Sequence, residues 1–127
     1  MSRNLARPLS LAAILVSVVA LTAATQAARF PTGSYKANNG TNDIVLAFDT
    51  TGTLDVLVDG QAFSKGTWEA KADTLSFGPV TGPEGYGCAA GAKYQWSIAE
   101  NRITFTRLAD DCEIRMQSLT GLAWTKG

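Results

Sequence analysis

The sequence contains no histidine, two cysteines and four prolines in 127 residues. Without histidine the chain lacks a Ser-His-Asp or Cys-His catalytic site, the usual zinc sites and a haem ligated by a proximal histidine. Helix signals are also nearly absent, because apolar residues alternate along the chain instead of recurring every three or four positions. We therefore expect an all-β protein that is not an enzyme and carries no metal and no cofactor.

The first 27 residues have the features of a cleaved signal peptide, followed by a domain over residues 28–127. Arg3 and Arg7 precede an uncharged run over residues 9–24, and small residues lead to a cleavage site after Ala27. A membrane anchor is the alternative, but the run is slightly shorter than the ~17–25 residues of a span. We expect a secreted or periplasmic protein with no membrane span in the mature chain.

The charge balance of the mature chain argues against nucleic acid as a partner. Without Arg3 and Arg7, nine basic residues stand against 11 acidic residues, which gives a formal net charge of −2. Nucleic-acid binding requires a basic face, which this balance does not favour. The remaining length suits one domain, which we expect to be a monomer.

The two cysteines, Cys88 and Cys112, both lie in the mature chain. An even pair in an exported domain predicts a disulfide. This disulfide would close a loop of about 25 residues, which stabilises the fold by roughly 3–4 kcal/mol. A redox or metal pair is the alternative, but the spacing is not that of a CxxC motif and no histidine is present to complete a metal site.

Two stretches of the chain nearly repeat each other. Trp68 is followed after nine residues by Phe77, and Trp96 is followed after nine residues by Phe105. In both copies an Asp or Asn stands five residues after the Trp, and the residues that close the unit match in type. Each copy therefore indicates a β-hairpin with its turn at the Asp or Asn.

The remaining pattern predicts a chain of consecutive antiparallel strands. We expect strands near residues 33–37, 43–49, 53–59, 64–70, 74–77, 92–98, 102–108 and 113–119, with a Gly- and Pro-rich loop over 78–91. Eight strands in this order favour one small up-and-down antiparallel barrel, which leaves no sheet edge exposed. A two-sheet sandwich that divides at the loop is the alternative.

Several short motifs resemble those of the calycin group, which contains the lipocalins and avidins. Gly33-Ser34-Tyr35 stands where lipocalins carry Gly-x-Trp on the first strand, with Tyr in place of Trp, and Arg115 matches their late arginine. The second lipocalin motif, a Thr-Asp-Tyr turn, is missing. The segments that are similar to small exported bacterial domains called lipocalin-like are Tyr94-Gln95-Trp96-Ser97, Arg102-Ile103-Thr104-Phe105, Asp110-Asp111-Cys112 with Arg115, and Leu122-Ala123-Trp124. The resemblance implies a lipocalin-like barrel and little about its function.

Aromatic side chains at inward strand positions are the first candidates for ligand binding. Gly66 and Ala70 share a face with Trp68 and leave room beside it. Arg107 and Arg115 are candidates to cover aromatic rings at a barrel end by cation–π contacts. Tyr86, in the Gly- and Pro-rich loop, is a candidate for an exposed contact. The predicted ligand-binding residues are Trp68, Tyr94, Trp96, Phe105, Arg107, Arg115 and Tyr86; the alternative is that the rings only fill the barrel.

Two kinds of partner fit this sequence. The first is a small apolar ligand inside the barrel. The second is a secreted protein, such as a protease that the chain inhibits by inserting residues 28–31, where Pro31 favours extended backbone. Asp110, Asp111 and Glu113 form an acidic cluster that we interpret as a turn and not as calcium ligands.

Overall fold

The computed structural model describes residues 29–83 and 87–127, so the predicted signal peptide lies outside the described residues. The described residues form ten strands and one helix. The strands are β1 (Gly33–Asn38), β2 (Asp43–Phe48), β3 (Thr53–Val58), β4 (Gln61–Lys71), β5 (Thr74–Phe77), β6 (Val80–Thr81), β7 (Gly87–Cys88), β8 (Ala92–Ala99), β9 (Arg102–Ala109) and β10 (Trp124–Lys126). The helix, α1 (Glu113–Gly121), lies between β9 and β10.

Eight of these strands close into an antiparallel barrel. Going around it, the order is β1, β2, β3, β4, β5, β8, β9 and β10, and β10 pairs with β1 to complete the ring. The short strands β6 and β7 form an extension that pairs with β4. The predicted all-β fold with a small up-and-down barrel is therefore confirmed, and the two-sheet sandwich is not formed.

Alternation of side chains along the strands underlies this barrel. On β8, Tyr94 and Trp96 are buried, whereas Gln95 and Ser97 between them are exposed. Successive residues of a strand point to opposite faces, so one face fills the interior and the other meets water. The alternation that is visible in the sequence thus determines which side chains lie inside.

The two repeated hairpins are confirmed in register. Trp68 lies directly opposite Phe77 on β4 and β5, and Trp96 lies directly opposite Phe105 on β8 and β9. Opposed aromatic side chains of this kind stabilise antiparallel strands. The nine-residue spacing is therefore the separation of a cross-strand pair joined by a tight turn.

The predicted strand over residues 113–119 is wrong, because this segment is helix α1. The strand that closes the barrel is β10, which begins at Trp124. Arg115 and Leu119, four residues apart, are the two buried residues of the helix and lie on one face of it. A spacing of four residues is typical of a helix, but two residues alone are too few to establish a helical pattern.

The predicted disulfide joins Cys88 on β7 to Cys112 at the start of α1 and is confirmed. The loop over residues 78–91 contains the β6–β7 extension, with residues 84–86 outside the described part. The disulfide therefore ties the extension to the helix, and both elements lie over the same end of the barrel.

The barrel has two chemically different ends, because the connections of a meander alternate between them. The turns β2–β3, β4–β5 and β8–β9 lie at one end with residues 29–32, and we call this the aromatic end. The turns β1–β2 and β3–β4, the loop 78–91 and helix α1 lie at the other. We call this the cavity end, because a cavity opens there.

Candidate functional site

A cavity of about 360 Å³ opens at the cavity end of the barrel. Its walls come from β2, β3 and β4, from the extension, and from helix α1. Eight of its 17 lining residues are aliphatic: Ile44, Leu46, Leu54, Val56, Val58, Val80, Ile114 and Leu119. The others are the apolar Phe63, Phe77, Cys88 and Trp124 and the polar Asn39, Asn42, Ser64, Arg115 and Ser118. The fully buried Trp124 lies against it as well. A small apolar pocket of this size is typical of small-molecule sites.

Helix α1 and the β6–β7 extension complete the cavity. Ile114 and Ser118 of the helix and Val80 and Cys88 of the extension line it, together with residues of the barrel strands. Because the Cys88–Cys112 disulfide joins these two elements, their positions over the barrel are fixed relative to each other. The disulfide therefore contributes to the shape of the cavity as well as to stability.

Ser64 is a polar side chain in the wall of the cavity. It is 8% exposed, and its Oγ has no hydrogen-bond partner among the residues that the structure describes. Most buried hydroxyl groups in proteins are hydrogen-bonded, so such a group calls for an explanation. Ser64 lies opposite Val56 on β3, which also lines the cavity.

Arg115 is the other buried polar residue of the lining, and most of its donors are already used. Its Nε and Nη2 donate to the two carboxylate oxygens of Asp110 at 2.9 and 2.8 Å. Its Nη2 also donates to the Ala90 carbonyl at 2.9 Å, and its Nη1 to the Gly78 carbonyl at 3.2 Å. Arg115 therefore joins the helix to both ends of the 78–91 loop.

Asp110 is the centre of this network. Besides Arg115, it accepts hydrogen bonds from the Tyr94 hydroxyl and from the backbone N–H of Cys112. Burial acts to raise the pKa of Asp110, but the hydrogen bonds from Arg115, Tyr94 and Cys112 outweigh it, so the pKa lies below its usual value. The pKa of Tyr94 is raised by burial and by its bond to the Asp110 carboxylate.

These contacts explain part of the acidic cluster. The side chain of Asp110 is enclosed by its partners and forms the turn into α1, as the sequence interpretation proposed for this segment. Within residues 29–83 and 87–127, no group of three or more Cys, Asp or Glu side chains is arranged to hold a metal ion. The network is an ion pair that anchors the helix.

The predicted site residues are divided among different surroundings. Trp68, Trp96, Tyr94 and Phe105 pack in the barrel core, and none of them lines the cavity. Arg115 does line it, but from α1. That these aromatic residues contact a ligand stays a prediction. The cavity is lined by a different set of residues.

Arg107 and Tyr86 do not join the cavity either. Arg107 is exposed near the end of β9, where its Nη1 lies 3.5 Å from the Met116 sulfur. No cation–π contact of Arg107 is present in the described part of the chain. Tyr86 lies outside the described residues.

The room expected beside Trp68 is occupied by other parts of the chain. A Cβ atom on Gly66 would lie 3.1 Å from Val80 Cγ2, so the extension packs closely against this glycine. The ring of Phe30 lies 5.3 Å, centroid to centroid, from both Trp68 and Trp96. The space between the two equivalent tryptophans is thus filled by a residue that precedes the first strand.

Phe30 also determines the position of the N-terminal segment. It is 6% exposed and contacts Phe48 at 4.8 Å and Tyr35 at 6.2 Å between ring centroids. The Tyr35 hydroxyl donates to the Pro31 carbonyl at 2.6 Å. Residues 30 and 31 are therefore part of the folded barrel, and inserting them into a protease would require Phe30 to leave the core.

Comparisons of the chain with protein-family models, with curated proteins and with solved structures found no match. The closed eight-stranded antiparallel barrel is compatible with a calycin-like fold. Among the described residues, no helix has the length and apolar character needed to cross a membrane. The disulfide is compatible with an extracellular or periplasmic location.

Proposed function

We propose that the protein is an exported lipocalin-like barrel that binds a small apolar ligand without catalysis. The observation that carries this proposal is the mainly apolar cavity of about 360 Å³ at one end of a barrel whose other end is filled by aromatic rings. A barrel of about eight strands has room for one small ligand only where side chains leave space.

The lining supports binding of an apolar molecule. A ligand that covers Leu46, Leu54 and Val56 removes its own apolar surface from water, which favours binding by about 25 cal/mol per Å² before the costs of association. The buried acid near the cavity, Asp110, is engaged with Arg115 and Tyr94 and serves structure. This arrangement supports a binding role for the protein in preference to acid–base catalysis.

The test uses 1-aminonaphthalene, a dye small enough for the cavity whose emission shifts to shorter wavelength in apolar surroundings. We expect saturable binding of one dye per chain, with a change in tryptophan fluorescence because Trp124 lies against the cavity. The variant Val56→Phe, which places a ring in the cavity, should weaken binding at least about tenfold. Leu57→Phe is the matched control, since strand alternation directs residue 57 to the outer face.

Two results would contradict the proposal. One is the absence of saturable dye binding by the folded, disulfide-intact protein. The other is equal dye affinity of wild type and Val56→Phe, which would place the dye elsewhere on the molecule.

A further inference from the structure

We infer that the ligand of the cavity is an uncharged aliphatic molecule with one oxygen, an alcohol or a ketone, whose oxygen hydrogen-bonds with Ser64. This inference rests on the proposed function and adds the chemical class of the ligand. It is carried by a buried hydroxyl without a partner in the described chain, set in a mainly apolar wall.

The position of Ser64 on β4 directs it toward the interior. Its neighbour Lys65 is exposed and approaches Asp55 on the outer face, so alternation places Ser64 on the barrel side. The Oγ atom is shielded from solvent, and it has no hydrogen-bond partner in the described chain. To meet a ligand atom in the cavity that Ser64 lines, the hydroxyl must rotate about χ1 to another of its three staggered positions.

A buried hydroxyl without a hydrogen bond raises the free energy of the ligand-free protein. A ligand that hydrogen-bonds with this hydroxyl removes that cost. Leaving a buried donor and acceptor without a partner is costly, whereas a valine or alanine in the same wall carries no such cost. A ligand with one hydroxyl or carbonyl oxygen restores the missing hydrogen bond. The same wall offers a pure hydrocarbon only apolar contact.

The charges around the cavity disfavour an ionised head group inside it. Arg115 is the charged residue of the lining, and the Asp110 carboxylate neutralises it at 2.8 Å. Four of the five N–H groups of the guanidinium donate to Asp110, Gly78 or Ala90. A carboxylate in the cavity would be buried without a free counter-charge, which is strongly unfavourable.

The size of the cavity limits the length of the ligand. At about 30 Å³ for each water-sized group, the volume holds about 12 non-hydrogen atoms. A straight-chain ketone or alcohol with ten carbons has this size. The test compounds are therefore decan-2-one, decanoate and naphthalene, a hydrocarbon of similar bulk.

The experiment measures displacement of 1-aminonaphthalene from wild type, Ser64→Ala and Ser97→Ala. Ser97 is exposed on β8, so Ser97→Ala makes the same chemical change outside the cavity. We expect decan-2-one to bind Ser64→Ala about tenfold more weakly than wild type, the loss of one hydrogen bond. Naphthalene should bind both equally, and decanoate should bind wild type at least about tenfold more weakly than decan-2-one.

The outcomes separate this inference from the proposed function. If dye and naphthalene bind in a manner that Val56→Phe blocks, but Ser64→Ala leaves the affinity for decan-2-one unchanged, the ligand class is wrong and the cavity function stands. Equal binding of decanoate and decan-2-one also overturns the ligand class. If no probe binds, both proposals fail. The urea midpoint of Ser64→Ala should equal or exceed that of wild type, because an unpartnered hydroxyl is removed.

Discussion

Removing the charge of Arg115 should destabilise the protein more than any ordinary surface change. In Arg115→Met the helix keeps a residue of good propensity, but Asp110 is left buried without its counter-charge. The carbonyl groups of Gly78 and Ala90 also lose a donor. Breaking a buried pair from one side costs about 3–5 kcal/mol, a large part of the ~5–15 kcal/mol expected for a small domain.

The assay is urea unfolding of the disulfide-intact protein at neutral pH, followed by tryptophan fluorescence and circular dichroism. Arg107→Met is the matched control, because Arg107 is exposed and should change the free energy of unfolding by no more than about 0.5 kcal/mol. In the double variant Arg115→Met/Asp110→Asn no unpaired charge remains. We expect its loss to be smaller than the sum of the two single losses by at least about 1 kcal/mol.

The same network predicts an acid dependence. Because the pKa of Asp110 is lowered in the folded state, its contribution to stability is present above its ordinary pKa, about 3.9, and is lost as pH falls through the folded value. In Arg115→Met, burial of Asp110 is no longer offset, so protonation relieves the unpaired charge. The difference in stability between wild type and Arg115→Met should therefore shrink below about pH 4.

Three results would refute this reasoning. Arg115→Met could cost no more than Arg107→Met, the double-variant cycle could be additive, or the difference from wild type could stay constant with pH. Any of them would mean that the carboxylate and guanidinium are not coupled as the contacts indicate.

Two further predictions test the aromatic end and the buried phenol. Phe30→Ala should lower the free energy of unfolding by about 3–5 kcal/mol, as for a core phenylalanine. Arg29 is exposed beside it, so Arg29→Ala should change this free energy by less than about 0.5 kcal/mol. Equal urea midpoints for the two variants would mean that residue 30 is not part of the core. Because the pKa of Tyr94 is raised in the folded protein, the contribution of this group to stability should be constant below its ordinary pKa near 10 and fall above it, by about 1.4 kcal/mol per pH unit. Unfolding between pH 9 and 11 should show a shallower fall in Tyr94→Phe, and an identical pH slope would contradict the assignment.

The sequence alone determined the barrel, because its signals are local. Alternation on each strand, the turn residues between strands and the nine-residue spacing of Trp and Phe all act over a few positions, and the structure shows Trp68 opposite Phe77 and Trp96 opposite Phe105. The disulfide followed from an even pair of cysteines in a chain whose sequence predicts export. Helix α1 was missed, because its two buried residues are too few to establish a helical period.

Only the tertiary structure decided which end of the barrel is filled. Phe30 enters between Trp68 and Trp96 from outside the repeats, so equivalent positions in sequence became core instead of a pocket. Arg115 finds the Gly78 carbonyl 37 residues away, a contact that no spacing rule predicts. The cavity and the unpartnered Ser64 arise where helix, extension and strands meet, and such a meeting depends on packing between distant segments rather than on the order of residues along any one of them.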